Sequence, residues 1–130
     1  MPEYVPRADA GLLGLDSFTQ AYLECAEWSG IDDGEREAFE SSVSPGWSDV
    51  SIRRAEQTCS DFRAIAGDLL DEIDDAQAGH DLWLTRNRHG CGFWDRGLGK
   101  VGDTLTELAH PYGEAHVFFD AETETLELSD

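Results

Sequence analysis

The chain has 130 residues, of which 28 are Asp or Glu and nine are Lys or Arg, so its formal net charge is −19. A field of this sign disfavours direct binding to nucleic acid or to an anionic membrane and attracts basic proteins. Four Trp, three Tyr and six Phe exclude a disordered acidic tail, which would lack the apolar side chains of a core. We therefore expect one folded domain over residues 1–130.

The cysteines and the chain start bear on the compartment. Cys25, Cys59 and Cys91 are odd in number and far apart, and no Cys-x-x-Cys pair occurs. This pattern is typical of reduced thiols and not of a disulfide framework. The N-terminus has no basic start followed by an apolar core, and no apolar run approaches the roughly 20 residues of a membrane span. These features predict a cytoplasmic protein.

The first elements are an irregular arm and a helix. Proline and glycine interrupt residues 1–15, so no regular element is expected there. A helix is predicted to begin near Ser17, where either a Ser17–Gln20 capping box or an Asp16 cap would serve. Gly30 follows the last apolar residue of the pattern and suits the end of the helix.

An acidic, loop-like stretch and a long helix are predicted next. Residues 31–47 should be mostly irregular, with a short helical turn at Glu35–Phe39 and a turn at Pro45. The second helix should be capped by Ser48 and end near Gly79. Its apolar positions recur at spacings of three and four: Ile52, Ala55, Cys59, Phe62, Ala66, Leu69 or Leu70, and Ile73.

A hairpin and a third helix follow in the prediction. His80–Arg86 alternates like a half-buried strand, residues 87–90 supply turn chemistry, and Cys91–Asp95 would return. The inner face of the third helix is predicted to carry Leu98, Val101, Leu105, Leu108 and Tyr112.

The C-terminal residues predict a second hairpin. Ala115–Phe119 should pair with Thr125–Leu128, because Val117, Phe119, Leu126 and Leu128 occupy every second position, as one buried face of a sheet requires. Helices followed by hairpins, without βαβ alternation, indicate an α+β fold. We expect an antiparallel sheet of three to four strands, in two hairpins, packed on one face against about three helices.

The densest negative charge is an acidic cluster of five residues, Asp68, Asp71, Glu72, Asp74 and Asp75. In the last turns of the predicted long helix they would form a ridge, because side chains three or four apart lie about 5–6 Å from each other. Anions at a helix C-terminus are penalised by roughly 0.3–1 kcal/mol each. A local conflict of this kind is typical of a functional surface.

A second candidate patch consists of Asp32, Asp33, Glu35 and Glu37. Two plainer interpretations of the acidic residues stay open. They could form an ordinary solvated helix face, or the whole composition could reflect adaptation to high salt, since the chain has a single lysine.

The sequence offers little for catalysis or metal binding. Paired carboxylates indicate little in so acidic a chain, and no GxxxxGK[ST] phosphate loop occurs. His89 and Cys91 stand alone, with no HxxxH or CxxC spacing. We therefore predict no catalytic residue, no metal site and no cofactor.

Residues 79–102 combine aromatic and basic side chains. Trp83, Phe93 and Trp94 lie among Arg86, Arg88, Arg96 and Lys100. The segment could be a binding hairpin with an exposed Trp. We favour the alternative that these bases pair with the protein's own acids and hold its acidic halves together.

A family resemblance rests on two stretches, residues 78–120 and FTQAYLECAEWS at residues 18–29. The pattern HDLWLTRN…GFWDR resembles that of small proteins from bacteriophages and mobile elements. Some acidic proteins of this kind act as anti-CRISPR proteins, and the resemblance implies a type I-C inhibitor that mimics DNA. The matching stretches cover under half of the chain and include none of the acidic cluster. The resemblance therefore transfers no individual site residue.

Charge and resemblance together predict a monomeric inhibitor in the host bacterial cytoplasm. It would bind the basic nucleic-acid groove of a defence complex, such as a type I CRISPR effector, and block DNA binding. Two alternatives stay open. One is a small phage enzyme that uses a His80–Trp94 hairpin, with a pocket of His80, Asp81, His89 and Trp94. The other is an acidic adaptor that does not mimic DNA.

Overall fold

The computed structural model describes residues 14–31, 33–42, 46–88 and 91–129. Within these ranges the chain forms five α-helices and a three-stranded sheet, which confirms the α+β class. Residues 1–13 of the predicted irregular arm lie outside the described residues. Pro45, in the predicted turn, also lies outside them. No helix in the described ranges is long and apolar enough to cross a membrane.

Helix α1 spans Ser17–Gly30. Of the two predicted caps, Asp16 is the one used, because its carboxylate accepts a hydrogen bond from the Thr19 amide at 2.8 Å. A Cβ at Gly30 would lie 2.8 Å from the Val117 side chain, so glycine allows the end of the helix to approach the sheet closely.

Helix α2 spans Asp33–Ser41 and is longer than the single predicted turn. The chain between α1 and α2 covers the outer edge of a strand, where Ile31 forms an isolated parallel bridge with Val117. The Glu35 carboxylate accepts a hydrogen bond from the Phe119 amide at 3.2 Å. These contacts satisfy a sheet edge that would otherwise be open to pairing with another chain.

The prediction of one long helix is wrong, because these residues form two helices. Helix α3 spans Asp49–Ala66, and Ser48 caps it as predicted. At Gly67 the backbone turns to φ +51°, ψ −126°, a region that favours glycine, and a 3₁₀ turn follows over Gly67–Leu70. Helix α4 then spans Asp75–Arg86. The apolar pattern continues across the break because Leu69, Leu70 and Ile73 still pack against the core.

The first predicted hairpin is also wrong. Residues 80–86 belong to α4, and Phe93–Asp95 forms a 3₁₀ turn. Every residue from Asp81 to Arg86 is buried, so α4 shows no apolar stripe by which a helix could be recognised. A Cβ at Gly79 would lie 2.0 Å from the Phe18 carbonyl oxygen, which shows how closely α1 and α4 pack.

Helix α5 spans Lys100–Ala109 and continues as a 3₁₀ turn over His110–Tyr112. This confirms the predicted third helix, but Leu98, which was predicted on its inner face, lies before its first residue. Leu105 and Ala109 are fully buried, whereas Leu98 and Val101 are only partly covered.

The sheet contains the second predicted hairpin and one short additional strand. Strand β1 is Gly46–Trp47, β2 is His116–Asp120 and β3 is Thr125–Ser129. The order is β1-β3-β2; β2 and β3 are antiparallel, while β1 is parallel to β3. The predicted inward residues are all buried: Val117, Phe119, Leu126 and Leu128. The sheet is therefore mixed and has one hairpin, where two hairpins were predicted.

Phe62 on α3 lies at the centre of the core. Its ring stacks on Phe93 with centroids 5.6 Å apart, and it lies 6.4 Å from Phe18 and 6.2 Å from Tyr112. These rings join α1, α3, the segment after α4 and the end of α5. The turn that carries the acidic cluster therefore projects from a closely packed framework.

Candidate interaction surface

The acidic cluster occupies the connection between α3 and α4, and all five side chains are exposed. Asp68 lies in the 3₁₀ turn, and Asp71 and Glu72 lie in the turn after it. The predicted helical ridge is wrong, because the helix ends before the cluster begins. The structure still groups the five residues on one short connection.

Asp74 and Asp75 have structural roles at the start of α4. The Asp74 carboxylate accepts hydrogen bonds from the Ala76 amide at 3.1 Å and the Gln77 amide at 3.3 Å. Asp75 lies 3.7 Å from the Arg63 guanidinium on α3. A helix N-terminus favours negative charge, so the predicted conflict with the helix dipole is wrong for these two residues.

Asp68, Asp71 and Glu72 differ from these capping residues. Their exposed side chains form no hydrogen bond or ion pair with any residue of the described ranges. No described residue therefore competes with an outside cation for these three carboxylates.

A groove of about 530 Å³ lies beside these three carboxylates. It is also lined by Gly97 and Leu98, in the loop that leads into α5, and by Val101 in the first turn of α5. Leu69, Ile73, Leu98 and Val101 form an apolar floor. The sequence prediction missed this groove because it placed these apolar residues on the inner faces of regular helices.

The second predicted patch is only partly assessed by the structure. Asp32 and the side chain of Asp33 lie outside the described residues. Glu37 is exposed on α2, whereas Glu35 is half-buried and bonded to the Phe119 amide. Glu35 therefore protects the sheet edge.

Arg86 is buried and binds the interior of the protein. Its guanidinium donates to the Tyr22 hydroxyl and to the backbone carbonyls of Tyr112 and Gly113, each at 2.9 Å. It also lies 5.8 Å from the centre of the Tyr112 ring.

Arg96 forms an ion pair with Asp81 at 2.8 Å. This pair confirms pairing with the protein's own acids for one of the four bases predicted to act in this way, whereas the contacts described for Arg86 are to a hydroxyl and two backbone carbonyls. Arg88 and Lys100 are exposed. Of the aromatic residues in the same segment, Trp83 and Phe93 are buried, and Trp94 is 49% exposed.

His80 lies beside a smaller cavity of about 280 Å³ lined by Glu24, Cys25 and Trp28. Its Nδ1 atom is enclosed without a hydrogen-bond partner in the described ranges, and burial lowers the pKa of its ring below the ordinary value. The predicted hairpin enzyme site loses its basis, because His80 and Asp81 lie on a helix and Asp81 is wholly buried. His89 lies outside the described residues.

No group of three His, Cys, Asp or Glu side chains suited to a metal ion occurs among the described residues. Comparisons with protein-family models, curated proteins and solved structures give no significant match. The site is therefore interpreted from its own charge and geometry.

Proposed function

We propose that this protein is a DNA-mimic inhibitor that binds the basic nucleic-acid groove of a host defence complex. The observation that carries the proposal is the trio Asp68, Asp71 and Glu72. These three exposed carboxylates lie on the connection between α3 and α4 and have no partner in the described ranges, in a chain of net charge −19.

The mimicry would use the same interactions that hold a phosphate backbone. Proteins that bind nucleic acid gain most of their sequence-independent affinity by neutralising phosphates with Lys and Arg. Carboxylates accept the same charge-assisted hydrogen bonds, including the paired bonds of an Arg guanidinium. A rigid support improves such binding, because less conformational freedom is lost when the complex forms. Here the Asp74 cap and the Asp75–Arg63 ion pair hold the connection that carries the trio.

The field of the whole chain would assist association. Asp61, Asp103 and Glu107 add exposed acids on α3 and α5. A net field of one sign steers an oppositely charged partner and raises the association rate, and salt weakens the effect. Inhibition should therefore weaken as ionic strength rises.

The direct test uses a purified type I-C effector complex, its guide RNA and a labelled target duplex. Adding the protein should reduce duplex binding, and excess duplex should restore it. Undiminished duplex binding at a large molar excess of the protein, at low salt, would remove this effector as the target. Reduced binding that excess duplex cannot restore would contradict mimicry and favour an adaptor or an allosteric inhibitor.

Matched variants separate the trio from the bulk charge. Asp68→Asn, Asp71→Asn and Glu72→Gln together change the net charge from −19 to −16, and so do Glu56→Gln, Glu114→Gln and Glu122→Gln. The three control residues are exposed and lie elsewhere on the chain. Only the first triple variant should lose most of the inhibition. Equal losses would assign the effect to overall charge and not to this turn.

A further inference from the structure

The groove beside the trio has a property that phosphate mimicry does not require. A phosphate backbone presents charge, whereas the floor of this groove is formed by four apolar side chains: Leu69, Ile73, Leu98 and Val101. All four are only partly buried and so remain in contact with water. Apolar side chains that stay in contact with water can be covered favourably by the apolar side chains of a bound segment.

The charge around this floor indicates what could cover it. Asp68, Asp71 and Glu72 line the same groove, and they have no cationic partner in the described ranges. Arg63, on the neighbouring part of α3, is paired with Asp16 and Asp75. An apolar segment without positive charge would leave three carboxylates partly desolvated and unpaired, which is unfavourable. A purely basic segment would leave the floor uncovered.

We propose that this groove binds a basic amphipathic segment of the partner protein. Apolar side chains of that segment would cover Leu98 and Val101, and its Arg or Lys side chains would pair with Asp68, Asp71 and Glu72. The groove has a volume of about 530 Å³, which leaves room for several side chains of such a segment. A short helix with apolar residues at spacings of three and four has the required form. This inference rests on the proposed function, because it names the part of the partner that the acidic turn contacts.

The test uses three synthetic peptides and the intact chain. The first peptide is an amphipathic helix of Leu and Arg, the second has Gln in place of each Arg, and the third is an oligolysine with the charge of the first. Binding is measured by fluorescence anisotropy at low and high salt. The Leu–Arg peptide should bind at least about tenfold more tightly than either of the others, a difference of about 1.4 kcal/mol.

Floor and rim variants then assign the binding to the groove. Val101→Thr is nearly isosteric and adds a hydroxyl to the floor, and Val50→Thr makes the same change at an exposed site at the start of α3. Val101→Thr should weaken the Leu–Arg peptide several-fold and leave its salt dependence unchanged, whereas Val50→Thr should have no effect. The triple rim variant Asp68→Asn, Asp71→Asn, Glu72→Gln should weaken both charged peptides and reduce the salt dependence.

A measurement on the unmodified protein covers the case in which a floor variant unfolds. Addition of the Leu–Arg peptide should shift the amide resonances of Leu69, Ile73, Leu98 and Val101. Unshifted resonances, or equal affinity for the Leu–Arg peptide and oligolysine, would overturn the groove proposal and leave DNA mimicry intact. Specific binding of the Leu–Arg peptide without any effect on the effector complex would support the groove and contradict the proposed target.

Discussion

Arg96 and Asp81 form an ion pair that joins an exposed loop to a buried helix. The Asp81 carboxylate on α4 is fully buried, whereas the Arg96 side chain is 34% exposed. The Arg96 Nε atom also donates to both carboxylate oxygens, at 3.1 and 3.2 Å, and Gln77 adds a hydrogen bond at 2.9 Å. The loop held in this way continues into Gly97 and Leu98, which line the acidic groove.

Replacing Arg96 with Gln should destabilise the fold. Among the described residues, loss of the guanidinium leaves the buried Asp81 carboxylate with the Gln77 amide as its remaining side-chain partner. Removing one partner of a buried pair costs about 3–5 kcal/mol of unfolding free energy. Because Arg96 is partly exposed, we expect a loss at the lower end of this range, about 3 kcal/mol. Urea denaturation measures this loss. Arg53→Gln removes the same charge from an exposed site and should cost less than about 0.5 kcal/mol.

The partner substitution gives a second check on the same pair. Asp81→Asn in the Arg96→Gln background removes the isolated charge, so the double variant should be more stable than Arg96→Gln alone. Equal stability of the single and double variants would contradict the view that the buried charge causes the loss.

Gly67→Ala distinguishes the observed helix break from the continuous helix that the sequence predicts. In a continuous helix this change would stabilise the protein by about 1 kcal/mol. At the observed φ of +51° and ψ of −126°, alanine is strained, and the protein should lose about 1–3 kcal/mol. The added Cβ would meet no atom within 4 Å, so the effect reports backbone conformation and not a clash. The sign of the change in unfolding free energy decides the question.

Asp74→Ala tests whether a new helix, α4, begins after this residue. Loss of a capping carboxylate typically costs about 1 kcal/mol, so this variant should be less stable than the wild type. The matched control is Asp71→Ala, which removes an exposed acid with no capping role and should change stability by less than about 0.5 kcal/mol. Stabilisation by Asp74→Ala would indicate a helix C-terminus at this position, as the sequence alone suggests.

The sequence predicted correctly those elements in which the spacing of apolar residues reflects one buried face and one exposed face. Successive residues of β2 and β3 point alternately to the core and away from it. Val117 and Phe119 on β2, and Leu126 and Leu128 on β3, are the ones that face the core. Helix α4 lacks such a signal, because it is buried on nearly all sides. In a buried helix the order of apolar residues is free to imitate a strand.

The sequence predicted which acidic residues belong to the candidate site, but it did not predict how they are arranged. The acidic residues are recognisable in the sequence, but their arrangement depends on the conformation of Gly67, and glycine is also tolerated inside helical patterns. The groove depends on the loop at Gly97 and Leu98 folding back toward Leu69 and Ile73. That approach is a tertiary contact between segments distant in sequence, which no local pattern records.

Thiol reactivity should separate the three cysteines. Cys25 and Cys59 are buried, and burial raises the pKa of each thiol to about 12, so neither forms the reactive thiolate at mild alkaline pH. Cys91 is only partly buried. Iodoacetamide at mild alkaline pH should add one group to the native protein, at Cys91, and three groups after denaturation. Rapid native labelling of Cys25 or Cys59 would contradict the described packing of α1 and α3.

His80 should make the stability of the protein depend on pH. Burial lowers the pKa of its ring, and the nearby Arg96 lowers it further, while Asp81 opposes the shift. Below about pH 6.5 the unfolded chain therefore binds a proton that the folded protein resists, and the contribution of His80 to stability falls as the pH falls.

His80→Asn removes this titration. Protonation of the many carboxylates also changes stability with pH, so the informative quantity is the difference in unfolding free energy between the wild type and His80→Asn. That difference should move in favour of the variant as the pH falls below about 6.5. His116→Asn makes the same substitution at an exposed position on β2 and serves as the matched control. A difference between wild type and His80→Asn that stays constant with pH would mean that the His80 ring is as solvated in the folded protein as in the unfolded chain.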